Sequence, residues 1–279
     1  MLRNSLVLPA ICIALVFSSF TPALAKDASI LTDDKKFPTL ISVASSISPA
    51  YKQWCDSIYD HIGLMAYGLD REVFYKAYKG YQYLLKKKKL RKSNLLTICD
   101  YSQSSNSQRL YVIDLNTEKL LYNTFVAHGK NSGDEFANSF SNLDKSNKSS
   151  LGFMVTAETY VGKAGLSLRF DGAEKGINDL VRTRDIVLHG STFVSNSLRG
   201  NGTISKSLGC PAVPFGIHKK IIALIKGGSC FYINHPDRRY TASSPILNAQ
   251  FVIPELEKLF LTQTALQEVK SVFSAITYE

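Results

Sequence analysis

The sequence lacks a zinc-type cluster, an internal repeat and a long apolar run. Five cysteines occur among its 279 residues, and no group of four Cys or His residues has the spacing of a zinc site, so we predict no metal. The apolar stretch from Leu6 to Phe17 is too short for a comfortable transmembrane span. These absences argue against a zinc module and a repeat architecture.

The chain is also poor in acidic residues. It has 33 Lys and Arg residues against 23 Asp and Glu residues, which gives a formal net charge of +10. A basic chain suits a polyanionic partner such as a cell wall or a membrane surface. No nucleic-acid-binding motif is present, so nucleic acid is not a predicted partner. Part of the charge lies in the run Lys86–Lys92, which we interpret as the solvated end of a helix.

Residues 1–25 have the pattern of a secretory signal peptide. Arg3 supplies an early positive charge, an apolar core follows, and Ala23-Leu24-Ala25 forms a small-residue cleavage site. We therefore expect cleavage after Ala25 and export of the mature chain. An uncleaved membrane anchor is the alternative interpretation.

Cysteine usage leaves two possibilities open. The cysteines that remain after the predicted cleavage are Cys55, Cys99, Cys210 and Cys230. If Cys210 stays a thiol, the others permit at most one disulfide and leave a further free cysteine. The sequence does not choose between buried thiols and one bridge.

Two regions that differ in composition and periodicity follow the predicted signal peptide. Residues 26–47 are rich in Ser and Thr with little periodicity, which is typical of a linker. Residues 48–92 predict two helices. Ser48-Pro49 provides a good start for the first, and Asp70 can cap the second. We predict that this pair braces the domain that follows.

From about residue 93 to 240, short runs rich in β-branched and aromatic residues alternate with Asn, Ser, Gly and Asp clusters. Such runs indicate strands, and the best candidates are Leu95–Cys99, Arg109–Leu115, Leu120–His128, Leu151–Thr156, Leu166–Phe170, Asp185–His189 and Gly228–Asn234. Their spacing favours a β-sandwich or barrel-like core, so the predicted fold class is mainly β with helical additions (α+β). We expect a short helix over His218–Ile225 with His218 exposed, and a helical tail over 241–279 in which a helix begins near Pro254.

The candidate catalytic residues lie between His189 and Val213. His189-Gly190 ends a strand candidate, and Ser207-Leu208-Gly209-Cys210 follows a polar spacer. A thiol becomes a good nucleophile when an imidazole takes its proton. We predict that Cys210 is the nucleophile and His189 its base. Gly209 would allow a tight turn, so the N–H groups of Gly209 and Cys210 are candidate oxyanion donors.

Other residues compete for roles at this site. His128-Gly129 also ends a strand candidate, so His128 is a rival base, and the alternative is a structural histidine bonded to the loop backbone. Ser191 and Ser207 are candidates to orient the imidazole, although each could simply shape its loop. A buried thiol and a surface imidazole are the structural alternatives to catalysis.

The string His-Gly, spacer, Ser-x-Gly-Cys resembles the signature of the L,D-transpeptidase catalytic domain (YkuD-type) family. Further blocks resemble the murein branch of this family in Gram-negative bacteria: Arg109–Leu115, Val126–Gly129, Phe140–Asn142, Ser149–Gly152, Arg184–Gly190 and Gly209–Val213. Leu208 departs from the His or Trp of many relatives, and Pro211-Ala212-Val213 replaces their Val/Ile-Arg. These departures remove a possible second imidazole and a possible carboxylate clamp.

The resemblance implies a mixed-sheet β-sandwich in an exported, periplasmic protein that acts on peptidoglycan stem peptides at the cell wall. Cys210 would attack the carbonyl between an L centre and a D residue, and the terminal D-amino acid would leave a thioester for an acceptor amine to resolve. No cofactor is needed. Water as the acceptor would make the protein an L,D-carboxypeptidase, and a non-catalytic peptidoglycan-binding module is the other alternative.

We assign substrate contacts to His128, Arg184, Arg199 and Lys206. Arg199 and Lys206 lie in the basic spacer and could meet a peptide carboxylate, although such cations are often only solvated. A papain-like or NlpC-type peptidase would place Cys before His, and a sortase would have a wider spacing and a downstream Arg. The sequence does not indicate the oligomeric state.

Overall fold

The computed structural model describes residues 49–194 and 206–250. The predicted signal peptide and linker, the spacer residue Arg199 and the helix expected from Pro254 lie outside the described residues. Within the described ranges, no helix is both long and apolar enough to cross a membrane. In chain order the elements are α1 (Pro49–Ile62), a 3-10 turn (Leu64–Tyr67), α2 (Arg71–Lys86), β1 (Leu95–Asp100), β2 (Leu110–Asp114), β3 (Lys119–Thr124), β4 (Gly152–Gly162), β5 (Gly165–Gly172), β6 (Val187–Ser191), β7 (Ala212–Pro214), α3 (His218–Ile225), β8 (Cys230–Asn234) and α4 (Arg238–Ser243).

The strands form one mixed sheet of eight strands in the order β3-β2-β1-β8-β4-β5-β6-β7. The pairs β1–β8 and β6–β7 are parallel, and the other neighbours are antiparallel. Beyond β3 the chain crosses to the far edge, where bridges join Ala127 to Ala212 and Gly129 to Ser207. The sheet therefore nearly closes into a barrel. This confirms the predicted mainly β fold with helical additions.

Each predicted strand overlaps an observed one, and the bounds differ at the ends. The candidate Leu120–His128 pairs with β2 only as far as Thr124, because its continuation leaves β2 for the opposite edge. Asp114 pairs with Lys119, so β2 and β3 form a hairpin. Strand β7 was not predicted, since a three-residue strand is too short to show an alternating pattern.

Both predicted N-terminal helices are present, and α2 packs against β1 and β8. Asp70 caps α2 as predicted, accepting the N–H groups of Glu72 at 2.8 Å and Val73 at 3.3 Å. A Cβ atom at Gly80 would lie only 2.0 Å from the Phe153 ring. The helix therefore approaches the sheet at a position where only glycine fits.

The structure corrects the expected exposure of His218 and resolves the cysteine question. His218 is 1% exposed, because its ring fills the space that a side chain at Gly190 would take, 2.6 Å from the position of a Cβ there. The prediction of an exposed His218 is wrong. All of the cysteines in the described ranges are free thiols, and Cys55, Cys99 and Cys230 are buried.

Candidate active site

Cys210 lies where the continuation of β3 meets the segment that leads into β7. Just before it, Gly209 has a φ of 123°, and a Cβ there would lie 2.9 Å from the Lys148 carbonyl oxygen. This left-handed conformation and the close approach both require glycine. The tight turn predicted before the thiol is therefore confirmed.

Ser149 fastens this turn to the neighbouring loop. Its buried hydroxyl accepts the N–H of Gly129 at 3.0 Å and donates to the carbonyl of Gly209 at 3.1 Å. A Cβ at Gly129 would lie 2.8 Å from the Cα of Gly209, so the two glycines are in close contact. Sequence analysis placed Ser149 in a matched block but gave it no role. Its partners are 20 and 60 residues away in the chain.

The thiol of Cys210 is partly exposed and contacts the backbone just before and at the start of β6. It donates to the Asp185 carbonyl at 3.5 Å, and its sulfur accepts the Val187 N–H at 3.4 Å. Burial raises the pKa of the Cys210 thiol, while the Val187 N–H and the charge of Arg184 oppose the rise. The resting group is therefore a thiol that needs a base to become a nucleophile.

His189 lies on β6, the strand whose backbone contacts this thiol. His189 pairs with Ala212 across the parallel β6–β7 ladder, and its N–H donates to the Pro211 carbonyl at 3.4 Å. Cys210 lies two residues before Ala212, outside β7, and its sulfur accepts the N–H of Val187, which is two residues before His189 on β6. The thiol is therefore held at the end of the strand that carries the predicted base. The hydrogen bonds described for the thiol do not include the imidazole.

The tautomer of His189 suits a base. Its Nδ1 lies 3.0 Å from the Gly190 carbonyl oxygen, which can only accept, so Nδ1 carries the proton and Nε2 presents a lone pair. The two serines predicted to orient the ring bond elsewhere. Ser191 accepts the Phe193 N–H at 3.3 Å, and Ser207 donates to the Cys210 carbonyl at 2.6 Å. In this structure the Gly190 carbonyl orients the imidazole, and Ser207 shapes the nucleophile loop.

His128 has the environment of a structural histidine. It is 1% exposed, its Nδ1 lies 2.8 Å from a guanidinium nitrogen of Arg109, and its Nε2 lies 3.2 Å from the Gly133 carbonyl oxygen. Burial first, and then the charge of Arg109, lower the pKa of His128 to about 4. Both ring nitrogens are occupied, so no lone pair is free for a thiol proton. This geometry argues against the rival base and against contact of His128 with substrate.

Arg109 holds this second histidine and was not singled out by sequence analysis. The side chain is fully buried and donates to the Val126 carbonyl at 3.0 and 3.2 Å and to the Gln103 carbonyl at 2.7 Å. Its guanidinium also lies 4.8 Å from the centroid of the Tyr101 ring. No carboxylate forms an ion pair with it in the described part of the chain. Carbonyl oxygens and a ring face therefore compensate the charge.

Of the two predicted oxyanion donors, one already donates a hydrogen bond within the protein. The N–H of Gly209 donates to the Ser207 hydroxyl at 3.1 Å. The N–H of Cys210 has no acceptor among the residues that the structure describes. Cys210 therefore supplies the donor that could meet a developing oxyanion.

The cations predicted to bind substrate are engaged with loops. The guanidinium of Arg184 donates to Ser141, Ser150, Ser146 and Lys148 at 2.6–3.1 Å, so it fastens the loop that precedes β4. Lys206 forms an ion pair with the exposed Asp134. Arg199 is outside the described residues. No cluster of three or more Asp, Glu, His or Cys residues that could hold a metal occurs within residues 49–194 and 206–250.

Comparison with known families places residues 65–234 in a match to the L,D-transpeptidase catalytic domain. The match starts ahead of α2 and ends with β8, whereas the catalytic domain predicted from the sequence is the strand-rich stretch from about residue 93 to 240. That division of the chain stays a prediction. No curated protein matches the chain.

Solved structures that match are distant. An L,D-transpeptidase from Mycobacterium smegmatis is 9% identical with a TM-score of 0.31, over 51% of this chain and 59% of that chain. One from Stackebrandtia nassauensis is 14% identical with a TM-score of 0.32, over 58% and 66%. One from Xylanimonas cellulosilytica is 13% identical with a TM-score of 0.30, over 55% and 68%. This chain therefore spans less than two thirds of the first two.

Proposed function

The chain belongs to the L,D-transpeptidase catalytic domain family, and we propose that it is a cysteine-dependent peptidoglycan transpeptidase with Cys210 as its nucleophile. The observation that carries the proposal is the bond between the Cys210 sulfur and the backbone of Val187 on β6, the strand that carries His189 two residues later. Nε2 of His189 has no hydrogen-bond partner among the described residues, which supports its role as the base. The signal-like residues 1–25 support action in the periplasm of a Gram-negative bacterium.

The proposed reaction begins with proton transfer from the Cys210 thiol to Nε2 of His189. The sulfur then attacks the carbonyl between an L centre and a D residue of a stem peptide, and the Cys210 N–H stabilises the oxyanion. His189 returns its proton to the leaving amine of the terminal D-amino acid. A thioester remains on Cys210.

Resolution of the thioester repeats the sequence with a new nucleophile. An amine of a second stem peptide loses a proton to His189 and attacks the thioester carbonyl, and the Cys210 sulfur departs with that proton. The product is a cross-link between two stems. If water replaces the amine, the product is a shortened stem and the protein is an L,D-carboxypeptidase.

Mass spectrometry of the intact protein tests the proposal. Incubation with purified disaccharide tetrapeptide should add the mass of the donor lacking its terminal D-residue, and fragmentation should place the adduct on Cys210. Cys210→Ser is the matched control, since it keeps the shape of the side chain with a much poorer nucleophile. A wild-type protein that binds the tetrapeptide without any adduct would support a non-catalytic binding module instead.

The products decide between the two acceptors. A transpeptidase should convert disaccharide tetrapeptide into cross-linked dimers, whereas a carboxypeptidase should yield only disaccharide tripeptide. Chromatography of the same reaction mixtures separates these products.

A further inference from the structure

A cleft of about 760 Å³ opens between the end of α2 and the strands β4 and β5. None of the residues assigned to the candidate active site lines it. Six charged side chains do: Lys87, Lys89, Arg91, Glu158, Asp171 and Arg182.

The end of α2 builds the first wall of this cleft. Lys88 takes a left-handed φ of 54°, and the N–H of Lys89 returns to the Leu84 carbonyl at 2.9 Å, so the basic run is a helix end as predicted. The segment that follows this turn is also bonded to Gly228 in the lining of the cleft, because the N–H groups of Arg91 and Lys92 donate to the Gly228 carbonyl at 3.0 and 3.1 Å. The exposed cations at the mouth are therefore held on a fixed backbone.

On the wall opposite the end of α2, the charged side chains form ion pairs with one another. Arg182 donates to Glu158 at 2.7 and 3.1 Å and to Asp171 at 2.7 Å. The hydrogen bonds from Arg182 are the main cause that lowers the pKa of Glu158 to about 2. By contrast, Lys87, Lys89 and Arg91 form no ion pair within the described ranges. The cleft therefore has a surplus of positive charge, which favours an anionic ligand.

We propose that this cleft is a second binding site for a carboxylate-bearing peptide, specifically a peptidoglycan stem; the choice of ligand rests on the proposed function. The uncompensated cations would bind the carboxylates of the stem. The lining includes Gly227, where a Cβ would meet nothing within 4 Å, whereas at Gly172 it would lie 1.9 Å from the Asn178 carbonyl oxygen. The open space beside the backbone therefore lies at Gly227. A concave site with charges on both walls suits a peptide better than a flat membrane.

Exposed ion pairs connect the cleft to the surroundings of Cys210. Arg169 bridges Glu158 at 3.7 Å and Asp185 at 3.1 Å, and the carbonyl of Asp185 accepts the thiol proton of Cys210. A stem bound in the cleft would therefore lie along the same surface as the nucleophile. The second site would hold a peptidoglycan strand near Cys210 without taking part in the chemistry.

Binding to purified peptidoglycan sacculi tests the proposal in the full chain carrying Cys210→Ala, which excludes turnover. In that background, the triple change Lys87→Gln, Lys89→Gln and Arg91→Gln should weaken cosedimentation with sacculi roughly tenfold, as expected for three lost exposed charge pairs. The matched control is Lys163→Gln, Lys219→Gln and Lys220→Gln, which removes equal charge from exposed positions away from the cleft. Equal binding by the two triple variants overturns the proposal.

Amide hydrogen exchange gives a second measurement. It uses the Cys210→Ala protein without the triple change, with and without disaccharide tetrapeptide as the probe. The amides of Arg91, Lys92 and Gly228 should exchange more slowly with the probe, and a probe with amidated carboxyls should lose the effect. Unchanged exchange at these amides overturns the proposal. So does a triple variant that loses binding to phosphatidylglycerol vesicles but keeps its binding to sacculi, because the cations would then form a membrane surface.

The two proposals fail separately. An adduct on Cys210 together with no protection at the cleft removes only the second site. Protection at the cleft together with no adduct removes only the transpeptidase activity.

Discussion

His128-Gly129, which follows β3, and His189-Gly190, which lies within β6, are the same dipeptide, yet their imidazoles have different environments. His128 is buried between Arg109 and the Gly133 carbonyl. His189 is partly exposed, and among the described residues only its Nδ1 is bonded, to the Gly190 carbonyl. Whether such a histidine is a base or a structural group is decided by residues brought in from elsewhere in the chain.

The glycines that follow the two histidines, Gly129 and Gly190, also contact different groups. Gly129 makes room for the backbone of the nucleophile loop, and Gly190 makes room for the ring of His218. Each glycine permits a close approach that a side chain would block. Gly129 supports the position of the proposed nucleophile Cys210, and Gly190 supports the strand of the proposed base His189.

The largest expected effect separates the two histidines by activity. His189→Ala should lower the rate of thioester formation by about 10²–10⁴-fold, the usual contribution of a general base, with little change in melting temperature. His128→Ala should mainly lower the melting temperature, because it leaves a donor of Arg109 and the Gly133 carbonyl without partners. Rates of adduct formation and thermal unfolding of both variants check this. A fully active His189→Ala beside a folded but inactive His128→Ala would reverse the assignment.

Removal of Arg109 should destabilise the fold more than any other single change considered. Arg109→Met leaves buried acceptors at Val126, Gln103 and His128 without their donor, and each unsatisfied buried group costs about 1–3 kcal/mol. Urea unfolding measures this cost. Arg169→Met is the control, because its ion pairs are exposed and worth no more than about 1 kcal/mol each. Equal losses in the two variants would contradict the structural role of Arg109.

The buried histidine should also make stability depend on pH. The pKa of His128 is lowered from 6.5 to about 4, so between these values the unfolded chain binds a proton that the folded chain does not. Stability should therefore fall as pH falls from about 6.5 and level off below about 4, by up to roughly 3 kcal/mol. Urea unfolding across this window should show the slope in the wild type and a smaller one in His128→Gln. The same slope in both proteins would assign it to other groups.

Local pattern predicted most of the fold, whereas the catalytic pair Cys210 and His189 stays a prediction. The apolar faces of α1 and α2, the Asp70 cap and the strand candidates depend on residues close in sequence, so periodicity and capping rules apply. The same is true of the turn at Gly209, where a glycine precedes the thiol. These features need no knowledge of what packs against them.

The features that could not be predicted from the sequence depend on contacts between segments distant in the chain. His218 is buried although it begins a helix whose local pattern favoured exposure, because the slot for its ring is provided by Gly190. Arg109 carries no sequence signal for burial, since a charged side chain is rarely fully buried without a partner. Its partner at His128 is 19 residues away. A register across β6 and β7 was likewise invisible without the strand that sequence analysis missed.

The smallest expected effect concerns Ser149, which joins the loop after His128 to the turn before Cys210. Ser149→Ala removes the hydroxyl that bonds both Gly129 and Gly209, leaving a buried N–H and a buried carbonyl unpaired at a cost of about 1–3 kcal/mol. Since Gly209 directly precedes the nucleophile, the rate of adduct formation should fall together with stability, whereas Ser57→Ala, an exposed helix position, should change neither. Unfolding by urea and the rate of adduct formation measured on the same samples separate the two effects. A stability loss with an unchanged rate would mean that the loop around His128 braces the fold without positioning Cys210.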